Sequence, residues 1–120
     1  MLRWTLLFFF IAVTFLSLKP RSVGLELEVN DKLGHALAYF VLTMNSLLVF
    51  DFVYRYRIIV GLFLYGVLIE LLQGFIPGRY SSWMDLLANG TGIILGLWIL
   101  FIFGRWIRRL LNSFGIRVKN

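Results

Sequence analysis

The residues with chemical capacity in this 120-residue chain fall into four short blocks: Asp31-Lys32-x-x-His35-x-x-x-Tyr39, Glu70-x-x-Gln73, Pro77-x-Arg79 and Asp85-x-x-x-Asn89. His35 is the single histidine and the natural group for proton transfer or nucleophilic attack. The carboxylates of Glu70 and Asp85 could orient it or act as a base, which makes His35, Glu70 and Asp85 the candidate catalytic residues. Lys32 and Arg79 are cations suited to a phosphate. With Asp31, Tyr39, Gln73 and Asn89 they form the candidate binding set. An oxygen and nitrogen metal site built from Asp31, His35, Glu70 and Asp85 is chemically conceivable, since Asp31 and His35 stand four residues apart. Without cysteine or a second histidine the sequence assigns no metal, and no cofactor is expected.

Those residues sit in an unusually apolar chain. Sixty per cent of the residues are hydrophobic, against about 45–50% in soluble domains, and the mean hydropathy is +0.85. A small integral membrane protein is implied. The formal charge of +6 would suggest nucleic acid in a soluble protein. Here the basic residues flank apolar runs, so topology and anionic lipid explain them and no nucleic-acid partner is expected.

A hydrocarbon core of about 30 Å needs roughly 20 apolar residues in a helix, and four apolar runs answer to this, at about 4–18, 31–53, 58–76 and 83–103. The first resembles a signal peptide in its Arg3 and apolar core. It lacks a small-x-small cleavage site before Pro20, so it reads as a retained helix that Pro20 ends. Residues 21–30 alternate Glu26 and Glu28 with Leu25, Leu27 and Val29, as an external loop or extended segment would. Asn30 or Asp31 is the expected cap of the second helix, and Ser81 or Ser82 that of the fourth. From Arg105 onward, Trp106, Ile107, Leu110, Leu111 and Phe114 oppose Arg105, Arg108, Arg109 and Asn112, the pattern of a surface-lying basic amphipathic tail. The expected fold is all-α and polytopic, four transmembrane helices in one compact bundle.

Lysine and arginine set the orientation of such a bundle. Eight of them fall on the side of Arg3, Arg55, Arg57 and the tail, and four on the other, so both termini should be cytoplasmic. That topology gathers the start of helix two, the end of helix three and the start of helix four at the outer side, where all four blocks lie. Polar faces in lipid should turn toward one another. Asp31, His35 and Tyr39 share one face of helix two, with Gly66, Glu70 and Gln73 on helix three and Asp85, Asn89, Gly92 and Gly96 on helix four. Glu70, about two turns inside its helix, costs roughly 2.5–3.5 kcal/mol if unpaired. Lys32, His35 and Arg79 are its candidate cations. The bland alternative is a polar network that only fixes helix packing, as in an accessory or scaffold protein. Gly92 and Gly96 form a GxxxG suited to close packing inside the bundle or, less specifically, to a homo-oligomer.

The blocks in this order, followed by Gly92 and Gly96, resemble the VanZ-like family of small bacterial membrane proteins, over about residues 31–104 of a single domain. The resemblance implies a bacterial inner-membrane location and a cell-envelope role. The founding member is associated with resistance to the glycopeptide teicoplanin. It implies no particular chemistry, so whether the site catalyses stays open. The expected partner is a membrane lipid, above all an anionic envelope lipid or a peptidoglycan precursor.

Overall fold

In the computed structural model, residues 2–18, 27–77 and 82–118 are described, those of 27–31 by their backbone alone. They form four α-helices: α1 (Leu2–Leu18), α2 (Leu27–Val49), α3 (Arg55–Gln73) and α4 (Trp83–Ser113), with one 3-10 turn at Phe52–Tyr54. No strand occurs among the described residues. α2, α3 and α4 contain spans long and apolar enough to cross a membrane. α1 is apolar but, at 17 residues, shorter than those three.

Cross-helix pairs give the directions. Thr5 meets Asn45 near one end of the bundle and Ser17 meets Gln73 near the other, so α1 runs against α2 and alongside α3. His35 meets Asn89 and Leu47 clusters with Leu100. α2 and α4 are therefore parallel, with α3 returning between them in sequence. Theirs is the most extensive interface in the fold. Its cause is small residues: a Cβ on Gly92 would collide with the Ala36 carbonyl oxygen, and one on Gly96 would lie 3.0 Å from Thr43 Cβ. The GxxxG thus works inside the bundle, letting two backbones approach.

The helix boundaries depart from expectation at both ends of α2 and of α3 and at the end of α4. α2 begins at Leu27 rather than 31, so Asn30 and Asp31 lie within the helix and not ahead of it. A five-residue alternation is a weak signal, and Leu and Glu are good helix formers. α2 then closes at Val49, where Asp51 turns to an extended backbone (φ −63°, ψ 139°), and α3 starts early, at Arg55. The Arg55 guanidinium lies over the rings of Phe52 and Tyr56, at 4.9 and 4.7 Å, so a charge at the first helical position is shielded by aromatic faces. α3 stops at Gln73, not 76. Gly74 and Phe75 begin a tighter turn, with Phe75 N–H donating to Leu72 O and Ile76 N–H to Gln73 O, ahead of Pro77.

The largest departure is at the end of α4, expected near 103 with a separate tail. The helix runs unbroken to Ser113, 31 residues or about 46 Å at 1.5 Å each, matching the 45 Å long axis of the molecule. Ile107 and Leu111 pack against the Leu47, Leu48 and Leu100 cluster, so this stretch of the expected tail continues the bundle. Gly115 at φ 78° ends it. Ile116 N–H donates to Leu111 O and Gly115 N–H to Asn112 O, the paired bonds of a Schellman cap.

This packing separates the glycines by function. Gly92→Ala should destabilise the protein by about 1–3 kcal/mol through overpacking. Gly61→Ala, whose Cβ would meet nothing within 4 Å, should be neutral or stabilising by up to about 1 kcal/mol from helix propensity. Thermal unfolding of both variants in detergent checks the contrast.

Candidate functional site

The bundle is arranged inside out. Asn89 and Gln73 are 0% and 1% exposed, and His35, Glu70 and Asp85 are buried with them, while Phe101 and Phe75 are 78% and 87% exposed. Water would not tolerate so much exposed apolar surface. Lipid tolerates it, and in turn demands that polar groups face inward.

α2 and α4 supply the first part of the cluster, because their parallel register aligns Lys32 with Asp85 and His35 with Asn89. Lys32 Nζ lies 3.4 Å from Asp85 Oδ1. His35 Nδ1 is 3.0 Å from Asn89 Oδ1, and His35 Nε2 is 3.8 Å from Asp85 Oδ2. An amide oxygen only accepts, so Asn89 fixes the proton on Nδ1. Nε2 is then the ring atom turned toward the carboxylate. Asn89 is in this sense the residue that orients His35.

α3 supplies the second part. Ser82 N–H, just ahead of α4, donates to Glu70 Oε2 at 3.0 Å. Ser82 has the extended backbone of an N-cap, though its hydroxyl caps nothing. Glu70 therefore lies at the N-terminus of α4, where the helix dipole and unsatisfied amides favour negative charge. Asp85 stands in the first turn of the same helix. The two carboxylates share one positive helix end, and with His35 their ligand atoms all fall within 4.8 Å of one another. Gln73 points elsewhere: its Nε2 donates to Ser17 O at 2.8 Å. Ser17 lies in the last turn of α1, whose carbonyls have no partner within the helix, so Gln73 caps α1 from outside.

Tyr39 is buried one turn beyond His35. Its hydroxyl and Asn89 Nδ2 both face Gly66, at 3.2 and 3.0 Å from where a Cβ would stand. Neither has a hydrogen-bond partner among the described residues. The cluster thus joins Lys32, His35, Tyr39, Glu70, Asp85 and Asn89, while Gln73 belongs to helix packing. Arg79 and the side chain of Asp31 lie outside the described residues.

Three contributors were not foreseen from the sequence: the Ser82 amide, the Ser17 carbonyl and Gly66 as the space for Tyr39 and Asn89. Ser82 could have been found as a cap whose own amide is free to donate. Ser17 is a backbone acceptor with no side-chain signal.

Helices of membrane-spanning length around an inward-facing polar cluster define an integral-membrane helical protein. A family model described as VanZ/LLP1 matches residues 3–104, and the chain belongs to the VanZ family. The match takes in α1 as well as the blocks from Asp31 onward, and ends before the last turns of α4. No curated protein and no solved structure matches the chain.

The Glu70 and Gln73 bonds are separable by isosteric change. Glu70→Gln keeps an acceptor oxygen for Ser82 and should accumulate in membranes. Glu70→Leu leaves that amide unpaired, at about 1–3 kcal/mol, and should fall in abundance on immunoblots. Gln73→Ala should free the end of α1 by about 1 kcal/mol, seen as faster amide exchange in residues 14–18 than in α4.

Proposed function

We propose that this VanZ-family protein is a multi-pass protein of the bacterial inner membrane with a cell-envelope role, binding or modifying an anionic envelope lipid or precursor at its polar cluster. The cluster opens at the outer leaflet, and both termini are cytoplasmic. In support, the helix directions put Lys32, His35, Glu70 and Asp85 at one end of the bundle and Arg55, Arg57, Arg105 and Arg109 at the other, as the positive-inside rule requires for that orientation. The last turns of α4, which carry the basic residues, then project into the cytoplasm. A link to glycopeptide resistance rests on the family alone.

The observation that carries the reading is the linkage Lys32–Asp85–His35–Asn89, buried but for the half-buried Lys32, which holds an imidazole between a carboxylate and an orienting amide. A general acid or base needs that support. In the catalytic form, His35 transfers the proton, Asp85 and Glu70 orient it or take the proton in turn, and Lys32 with Arg79 holds the anion. A second reading, an accessory protein whose polar residues only lock the helices, draws on the Ser82–Glu70 and Gln73–Ser17 bonds, which are packing contacts.

Envelope lipidomics with and without the protein, including phosphorylated isoprenoid carriers, tests the substrate class. His35→Gln and Glu70→Gln should accumulate normally yet abolish the lipid difference, and Lys32→Ala with Arg79→Ala should weaken retention of the anionic lipid at least tenfold. Normal function of both carboxamide variants at normal abundance sinks the catalytic form and leaves the packing role.

A further inference from the structure

The polar cluster has the wrong charge for the ligand proposed. Among the described residues of the cluster, Lys32 contributes one positive charge and Glu70 and Asp85 two negative ones. With a neutral imidazole the set is net negative by one. An anionic headgroup entering such a pocket meets repulsion, strengthened by burial.

We infer that His35, Glu70 and Asp85 bind a divalent transition-metal ion of the Mn²⁺ class, and that this ion, with Lys32, is what receives the phosphate oxygen of an anionic ligand. The inference deepens the lipid reading and rests on the same pocket. A divalent cation changes the net charge of the set from minus one to plus one.

The donor set fits. One imidazole and two carboxylates, without thiolate, are nitrogen and oxygen donors shared by Mn²⁺ and Zn²⁺. A six-coordinate ion holding ligands at about 2.0–2.4 Å places neighbouring ligands about 3 Å apart and opposite ones about 4–4.8 Å apart. The three donor atoms lie within 4.8 Å of one another. That limit accommodates a six-coordinate ion, and the separations near 3.4 Å of a tetrahedral Zn²⁺ at about 2.0–2.1 Å fall inside it as well. Three protein ligands leave open positions for water or a phosphate oxygen.

The surroundings supply what a metal site needs next. Asn89 Oδ1 holds the Nδ1 proton, so Nε2 presents its lone pair on the side of Asp85. A lone pair and a carboxylate 3.8 Å apart are brought together favourably by a cation between them. Tyr39 Oη and Asn89 Nδ2, both fully buried and without hydrogen-bond partners among the described residues, face the small space over Gly66, one turn from Glu70. Buried donors left over in the same polar cluster suit a further oxygen acceptor, a bound water or a phosphoryl oxygen.

The full chain, purified through a tag without histidine and placed in nanodiscs, is stripped with EDTA and titrated with Mn²⁺ while free Mn²⁺ is followed by electron paramagnetic resonance. One Mn²⁺ per chain is expected to bind, displaceable by Zn²⁺. Pulsed spectroscopy should show nitrogen coupling from an imidazole, and because His35 is the single histidine that signal identifies it without any variant. His35→Gln should lose the coupling, and Glu70→Gln and Asp85→Asn should each weaken binding at least tenfold, while Asp51→Asn, near the far end of α2, leaves it unchanged. Absence of saturable binding to the folded wild type, or binding without nitrogen coupling, overturns the inference. A parallel titration with short-chain phosphatidic acid in Mn²⁺ and in EDTA separates the two readings. Tighter binding in Mn²⁺ supports both. Mn²⁺ uptake without lipid binding supports the metal site and removes the lipid reading, and equal lipid binding in EDTA removes the metal from ligand recognition.

Discussion

The close parallel contact between α2 and α4 is the constraint on which everything else depends. Gly92 admits the backbone of α2 at Ala36 and Gly96 admits Thr43, so two helices meet without side chains between them. A parallel pair must be joined by a helix that travels back, which is the role of α3. Once the glycines fix the register, pairs about one turn above the crossing fall opposite each other: Lys32 with Asp85 and His35 with Asn89. A shift of one turn along either helix would break every one of these contacts together. The site is therefore a consequence of backbone proximity below it, and the polar bonds fine-tune a register that the glycines have already chosen.

A second condition is that two carboxylates can be buried in a chain suited to lipid. Glu70 comes from α3 but accepts from the amide that precedes α4, and Asp85 is in that helix's first turn. Both therefore lie at the positive end of the same dipole, whose influence is confined to the first turn, and Glu70 also takes up an amide there. The position of the cluster at the helix end, and not at mid-bundle, follows. Deeper in the bundle the α4 amides are committed to their own helix and offer a carboxylate nothing.

Much of this was legible in the sequence, and the rest was not for identifiable reasons. Apolar runs separated by Pro20 and Pro77 marked the helices, and the spacing of Gly92 and Gly96 marked close packing. His35, Glu70, Asp85 and Asn89 stood out because polar residues in apolar runs must face one another. Boundaries failed where local signals conflicted. Arg55 and Arg57 looked like loop residues, but the rings of Phe52, Tyr54 and Tyr56 take up their guanidinium groups within a helix or beside it. Gly104 and the basic run after it looked like the start of a separate tail, but arginine and leucine continue a helix well, and only the positive φ at Gly115 ends it. Partners that are backbone atoms, such as the Ser82 amide and Ser17 carbonyl, have no side-chain signature, and their pairing with Glu70 and Gln73 is a property of the assembled bundle.

Both ends of the α2–α4 pair are pinned. The glycines and the His35–Asn89 bond hold one end, and at the other Leu47 and Leu48 pack with Leu100, Ile107 and Leu111 beneath the Schellman cap. α3 is held differently. It buries Leu62, Gly66, Ile69, Glu70 and Gln73 along one stripe and exposes Val60, Leu64, Leu68 and Leu71. Parting α2 from α4 would separate the Lys32–Asp85 and His35–Asn89 pairs, four of the six residues of the cluster. Displacing the end of α3 disturbs the Ser82–Glu70 and Gln73–Ser17 bonds and leaves the His35–Asn89 bond, which joins α2 to α4, in place.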